Sequence, residues 1–572
     1  MNRTLGRSSY LLLTGMWMLL LVGINTIPLE DHEAYVLQTT EQMRQSDDWI
    51  VPVFNNALRL EKPPLNYWAT GLISALDPFH ERVQIWHGRL VSLLAALLML
   101  WATARTGALF YGPSVGMLAA SLLMGMQGFI HLSHNARPDF LYSCLGLLQI
   151  LAWTEAWHAQ DRSLRQWVGS LSGWLAAGLA VLSKGPQLPG MILLGFLIFL
   201  ARQKQWQRVR SILRPLSGSL LLLIIVLPWW TILNHRLHAM GADVSESQLS
   251  GSLLLDVASW WEVLKVYYLY TLFALTLPVG TLLLWLLPQL KQLNDNTDRF
   301  GELMLIGMGT ILVAFTLGGQ YRKHYIIALL PITALLLARL LSRCSPPTIR
   351  PRLKPLVYVP AIAAGLACFA FIAWKGCYPA LLGLPIGGVL VLTLLKRELG
   401  PLEHPQQAVI IPLLPWIVYT AILTIGIDTT LPLSGKRAEI QELANHINER
   451  LEPNGEFVEW QSATPTLPFL IHRDIPWFSD PKAFVQYFQA HRSEAPFFAI
   501  LPHSELPRLR RSFDLELRYV EDDPEDFEQP PVIVQLFAVR PSPERATEDT
   551  TPANRQQVPT LRVGFTSRLP NR

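Results

Sequence analysis

Leu220–Trp230 reads LLLLIIVLPWW, a run without a single charge. Leu93–Trp101 (LLAALLMLW) and Met191–Leu200 (MILLGFLIFL) are built the same way. A helix that crosses a bilayer needs roughly 20 mostly apolar residues, and many segments of this chain approach or meet that length. Only 16% of the chain is charged, against about 25% in an ordinary soluble domain. The reading is therefore a polytopic membrane protein, mainly α-helical. The net charge of +4 is carried by short loops between apolar runs, so it speaks to topology rather than to nucleic acid, which needs a contiguous basic face. The four cysteines, Cys144, Cys344, Cys368 and Cys377, are scattered, without CxxC spacing, and read as small packing residues.

Working outward from these runs, about thirteen spans are expected, at roughly 10–27, 86–104, 114–131, 139–157, 168–183, 186–201, 215–233, 266–289, 300–318, 325–341, 355–374, 379–395 and 408–426. The first follows a basic start and has no small-residue cleavage site behind it, so it reads as a retained signal anchor. Ser183-Lys184-Gly185-Pro186 breaks one long apolar stretch into two. Lys and Arg concentrate in alternate short loops, among them Arg105, Arg162, Arg165, Arg202–Arg214 and Arg343–Lys354. The positive-inside rule places those loops in the cytoplasm. The N-terminus is then inside, and the C-terminus outside.

The first outer loop, 28–85, is long and holds two helical patterns, Glu33–Gln45 and Pro64–Leu76. Leu65, Trp68, Leu72 and Ile73 form an apolar stripe suited to the membrane interface. Within residues 1–430 lies the membrane region. Over 431–540 charges become frequent, and the pattern predicts a small extracytoplasmic α/β domain. It has helices at Lys436–Leu451 and Pro481–Ala490 and strands at Phe457–Trp460, Phe497–Leu501 and Val532–Val539. Residues 541–572, rich in Pro, Thr, Arg and Glu, have the composition of a disordered tail.

The polar outer loops carry the candidate chemistry. Directly after the first span comes Glu30-Asp31-His32-Glu33-Ala34-Tyr35. Acids at a membrane edge are either plainly solvated or functional. Lys62, in Glu61-Lys62-Pro63-Pro64, sits on a stiff extended backbone that fixes a cation at headgroup level; a snorkelling lysine is the plainer alternative. The second outer loop runs from His131 through Arg137-Pro138-Asp139. His131 and His134 have the spacing of metal ligands but no third partner in sequence. Gly318–Tyr325 offers Arg322, Lys323, His324 and Tyr325 at a helix start, suited to a phosphate or simply to anchoring at the interface. No Walker loop, GxGxxG or HExxH is present.

An Asp after the first span, SDDWIVP at 46–52, EKPP at 61–64, RPD at 137–139, SKGP at 183–186 and KHY at 323–325 follow one another in this order. Together they resemble the polyprenyl-phosphate-sugar glycosyltransferases of the protein O-mannosyltransferase superfamily. The bacterial lipid A aminoarabinose transferases are the most similar branch, and the resemblance covers about residues 10–430. It implies the C-type glycosyltransferase architecture: about thirteen spans with an outer C-terminal domain, in the bacterial inner membrane, the active site facing the periplasm. It also implies an enzyme that moves a sugar from a polyprenyl (undecaprenyl) phosphate donor to a lipid or glycan acceptor such as lipid A, inverting the anomeric carbon.

On the matching positions, Asp31 becomes the acid that orients or deprotonates the acceptor and Asp139 a second acid that positions acceptor or sugar. Lys62 becomes the cation for the leaving phosphate. Arg137, Lys323, His324 and Tyr325 become donor contacts, and Tyr35 keeps its usual spacing from Asp31. Glu61 matches a position linked in relatives to a divalent metal ion; no other cofactor is implied. The chain departs from the pattern where His32 and Ala34 replace a glutamate and an arginine. A protein hydroxyl as acceptor, or a lipid-linked-sugar flippase, are the competing readings. A flippase would place its ionisable groups in broken helices near the midplane.

Overall fold

The computed structural model describes residues 27–241, 267–277, 279–282, 298–318, 321–343, 436–451, 455–461, 464–491, 496–519 and 531–539, with scattered positions between 10 and 25. The spans expected at 355–374, 379–395 and 408–426, the tail from 541 and most of the span at 10–27 lie outside these residues. The chain forms two compact units, one of residues 1–52 and 60–433, the other of residues 53–59 and 434–572.

The first unit is helical. Helix α1 (Asp31–Ser46) starts where Glu30 and Glu33 form a reciprocal capping box, the Glu33 carboxylate accepting the Glu30 N–H at 3.0 Å. This satisfies donors that a helix N-terminus leaves open. Helix α2 (Leu65–Leu76) follows Pro63-Pro64. Tyr67 of α2 packs with Val36 and Met43 of α1 and with Trp49, and the Trp68 indole donates to Trp49 O at 2.8 Å. Helix α2, which follows the turn bearing Lys62, thus packs against α1. Leu72, on the expected apolar stripe, is exposed.

The long helix α3 (Ile85–Tyr111) ends at Gly112, whose φ of +97° lets the chain reverse into α4 (Pro113–Met124). These two helices touch backbone to backbone. A Cβ on Gly116 would stand 2.1 Å from Ala104 O, and one on Gly107 2.7 Å from Gly116 Cα. Then come α5 (Gln127–Ser133), α6 (Pro138–His158), α7 (Leu164–Ser183), α8 (Gln187–Arg202), α9 (Pro215–Ala239), α10 (Tyr267–Thr276), α11 (Arg299–Leu317) and α12 (Leu329–Arg343). The single span expected at 114–131 is two helices, because the chain breaks at Gly125-Met126. Of the hinge expected at 183–186, Ser183 closes α7 and residues 184–186 separate it from α8.

Among the described residues, α3, α9 and α11 are long and apolar enough to cross a membrane. Helix α9 makes the physical case: Leu216 and Ile224 are 90% and 60% exposed, with Leu220, Leu223 and Leu227 beside them. So continuous an apolar face is stable when lipid covers it.

The second unit begins with a hairpin from the first outer loop, β1 (Val53–Phe54) and β2 (Ala57–Leu58). Its turn residues, Asn55 and Asn56, have φ of 53° and 61°, the left-handed pair that a two-residue hairpin favours. Asn55 Oδ1 accepts the Ile475 N–H at 2.6 Å, and Asn56 Nδ2 donates to Asp474 at 2.8 Å. The sequence boundary near residue 430 therefore leaves out a piece of this unit.

The remaining elements are α13 (Lys436–Arg450), β3 (Glu456–Trp460), α14 (Thr466–Ile471), β4 (Trp477–Phe478), α15 (Pro481–His491), β5 (Phe497–Pro502), α16 (Leu506–Ser512), β6 (Phe513–Tyr519) and β7 (Pro531–Val539). The sheet order is β4-β3-β5-β7-β6, with β3 parallel to β4 and β5, and β7 antiparallel to β5 and β6. Side chains alternate across a strand. Phe457, Phe498, Ile500 and Ile533 pack with α13 and α14, while Val458, Trp460, Phe497 and Ala499 pack with α15 and α16. The result is a sheet covered on both faces.

The α3–α4 approach gives a direct test. Gly116→Leu forces the two backbones apart, and the purified protein should lose its monodisperse peak in detergent. Gly190→Ala, in open space at the start of α8, should keep that peak and hold or raise Tm, since alanine favours a helix over glycine by roughly 0.5–1 kcal/mol.

Candidate functional site

A buried ion pair fixes the start of α1. Glu33 and Arg89, both sealed from solvent, form two parallel hydrogen bonds of 2.9 Å. Arg89 also donates to the carbonyls of Ile24, Ile27 and Pro28 at 2.9, 2.8 and 3.3 Å. Glu33 Oε1 accepts the Ala136 N–H at 2.9 Å. A buried charge pair is tolerated when its remaining lone pairs and protons are satisfied, as they are here. These bonds tie four segments together: α3, the end of the first apolar run, the first turn of α1, and the stretch of loop that leads into Arg137.

From Ala136 the chain passes to Arg137-Pro138-Asp139. Proline stands at the first position of α6, where its missing N–H costs nothing, and Asp139 comes next in the first turn. Asp139, 5% exposed, receives Lys184 Nζ on Oδ1 and Arg137 Nε on Oδ2 at 3.3 Å. His324 Nε2 lies 3.8 Å from Oδ1. Arg137 donates to His324 Nδ1 at 3.1 Å, which requires a neutral imidazole. Burial outweighs the attraction of Asp139, and Lys184 and Arg137 repel a further cation, so the pKa of His324 falls to about 2. Lys184 Nζ also stands 4.0 Å above the Tyr325 ring, a cation–π contact.

Lys184 is held in place by the hinge between α7 and α8. Gly185 has φ +131°, the Tyr142 hydroxyl donates to Gly185 O at 3.0 Å, and Leu188 N–H donates to that hydroxyl at 2.7 Å.

Of the residues expected at the site, Asp139, Arg137, His324 and Tyr325 come together here. Lys323 is exposed beside His324. Asp31 is exposed as the first residue of α1, and Tyr35 is half-buried one turn later. Lys62, half-buried, and Glu61, exposed, stand on the separate turn ahead of α2. Among the described residues no three His, Cys, Asp or Glu side chains converge as metal ligands. His134 instead bonds Ile130 O through Nδ1 at 2.8 Å.

Sequence reasoning missed the pairing of Lys184 with Asp139, the Glu33–Arg89 pair and the Tyr142 brace. Lys184 lies between two apolar helices and Arg89 within one, which is itself the available signal: an ionisable residue amid apolar sequence marks a functional or paired group. His32 was missed as well. It is exposed, though protein surrounds part of it. Burial and then Arg137 depress its pKa, Asp139 opposes them, and Arg322 and Glu30 add smaller effects, leaving about 4.

Known proteins place this arrangement in context. Residues 61–232 match the family model of dolichyl-phosphate-mannose-protein mannosyltransferase. The chain is 25% identical over 352 residues to the undecaprenyl phosphate-alpha-4-amino-4-deoxy-L-arabinose arabinosyl transferase of Enterobacter sp. (strain 638), covering 58% of this chain and 59% of that one. It is 27% identical over 439 residues to arabinosyl transferase 2 of Pseudomonas fluorescens (strain Pf0-1), covering 71% and 70%. An Aquifex aeolicus protein is 24% identical over 221 residues, 38% of this chain and 41% of its own. The chain thus spans less than two thirds of the length of the first relatives it matches.

Among solved structures, ArnT from Cupriavidus metallidurans bound to undecaprenyl phosphate superposes with a TM-score of 0.69 at 16% identity, covering 92% and 97% of the two chains. The apo oligosaccharyltransferase of Archaeoglobus fulgidus gives 0.51 at 11% identity, covering 89% and 73%. The mainly helical fold is that of the ArnT structures.

Arg89→Ala leaves Glu33 charged, buried and unpaired, and should cost about 3–5 kcal/mol. A fall in the Tm of the purified protein and a lower yield of folded material would register it. The double variant Glu33→Gln with Arg89→Met should recover much of the Tm, since it leaves no buried net charge.

Proposed function

We propose that this protein is an inverting glycosyltransferase that moves a sugar from a polyprenyl (undecaprenyl) phosphate to an envelope acceptor on the outer face of a bacterial inner membrane. In this reading the chain crosses about thirteen times, with a cytoplasmic N-terminus and a periplasmic C-terminus. The observation that carries the proposal is the buried carboxylate of Asp139, held among Lys184, Arg137 and His324 next to the start of α1, on a fold shared with a structure that binds undecaprenyl phosphate.

The reaction is a single displacement. An acceptor oxygen attacks the anomeric carbon, and the bond from that carbon to the phosphate oxygen breaks with its electron pair going to phosphate. Charge grows on the departing phosphate, so cations aimed there stabilise the transition state more than the ground state. Lys62 is assigned that role, with Arg137, Lys323, His324 and Tyr325 as donor contacts. Asp139, fixed by Lys184 and Arg137, positions the sugar or acceptor. Asp31 and Tyr35, on the first turns of α1, face the acceptor.

The aminoarabinose transferase relatives favour a lipid acceptor such as lipid A. The mannosyltransferase family model over 61–232 favours a protein hydroxyl as the second reading.

Mass spectrometry of envelope lipids, glycans and proteins from a deletion strain separates these. One sugar should be missing, and the class of molecule that lacks it identifies the acceptor. Wild-type protein should restore it, and Asp139→Asn should not. Lys62→Met should cut the transfer rate by roughly 10²–10³, the scale of losing one electrostatic contact to the developing charge. Full restoration by Asp139→Asn would remove that carboxylate from the reaction.

A further inference from the structure

We propose that His32 accepts the proton of an acceptor hydroxyl, while Asp31 orients that acceptor. The assignment rests on the glycosyltransferase reading above and names its base.

The placement follows from the stitching of α1. Glu33, the next residue, points inward and is bound to Arg89 and to the Ala136 N–H. Ala136 in turn precedes Arg137 and Asp139. His32 is therefore one residue from the stitch on its side, and Arg137 is one residue from it on the other. Successive side chains on a helix diverge by about 100°, so with Glu33 fixed, Asp31 and His32 point in different directions. The charged groups that act on His32 are Arg137, Asp139, Arg322 and Glu30, and His32 acts in return on His324. These are the residues of the Asp139 cluster and its rim. The ring of Tyr35 lies 6.3 Å away. His32 is also exposed, so a ligand can reach it, whereas His324 is buried and already engaged with Arg137.

The chemistry balances. At neutral pH the imidazole is unprotonated and has a lone pair to offer. It takes the acceptor proton as the acceptor oxygen bonds to the anomeric carbon and the lipid phosphate leaves with the electron pair. The imidazolium then returns its proton to water. In the free protein Arg137 and Arg322 oppose that positive charge. A donor phosphate beside them offsets their field, while burial, the larger cause, remains.

The test uses full-length protein added to membrane vesicles of the deletion strain, which supply donor and acceptor. Sugar transfer is followed by mass spectrometry across acid to neutral pH. Binding of undecaprenyl phosphate is measured in parallel. Wild type should lose activity as pH falls, through an ionisation at or above the free-protein value of about 4. His32→Gln should bind undecaprenyl phosphate as wild type does, turn over at least ~100-fold more slowly, and lack that acid limb. His32→Asp should recover part of the rate. Asp31→Asn should keep the acid limb and change mainly KM for the acceptor. An acid limb that persists in His32→Gln, or one that disappears in Asp31→Asn, overturns the assignment to His32 alone. A wild-type protein that neither binds undecaprenyl phosphate nor transfers sugar overturns the glycosyltransferase reading and this inference with it.

Discussion

The Glu33–Arg89 pair is the constraint on which the outer site depends. Two opposite charges sealed from water hold only if the attraction and the surrounding hydrogen bonds repay desolvation. Here Arg89 spends its donors on a carboxylate and three carbonyls, and Glu33 spends its lone pairs on Arg89 and two backbone N–H groups. Such saturation permits few alternative arrangements. It couples α3 to the first turn of α1 and to the loop that delivers Arg137 and Asp139, although these segments are far apart in sequence.

Around Asp139 the balance of charge is uneven. One carboxylate is bound by Lys184 and Arg137, and His324 stays neutral because it is buried and because a third cation there would also be repelled. Arg322 and Lys323 stand exposed nearby in sequence to His324. A surplus of fixed positive charge is expensive to assemble in a protein that water does not fully surround. It is the arrangement that an anionic ligand would relieve, which is why a phosphate-bearing donor fits the proposed chemistry.

The membrane class and the helical architecture were legible because they rest on composition and on long apolar runs, which need no tertiary information. The hinge at Lys184-Gly185-Pro186 was legible for the same local reason. The break at Gly125-Met126 was not, since the apolar pattern continues across it. The alternating FDLELRY of β6 was passed over because its charges disguise an edge strand. At the site, order along the chain pointed to Arg137, Asp139, His324 and Tyr325. It could not reveal that Lys184 reaches Asp139, because that contact depends on how α6 packs beside the hinge. Nor could it reveal that Glu33 turns inward onto Arg89 and so orients the first turn of α1.

The hairpin at Val53–Arg59 has a consequence for how the protein could be taken apart. Because it is built into the unit that otherwise begins at Ser434, the polypeptide passes from one unit to the other at Pro52, at Arg59 and again at Leu433. The C-terminal unit is thus not a cassette hung from a single linker. A cut or a graft near Ser434 would strand the Asn55-Asn56 turn without Asp474 and Ile475.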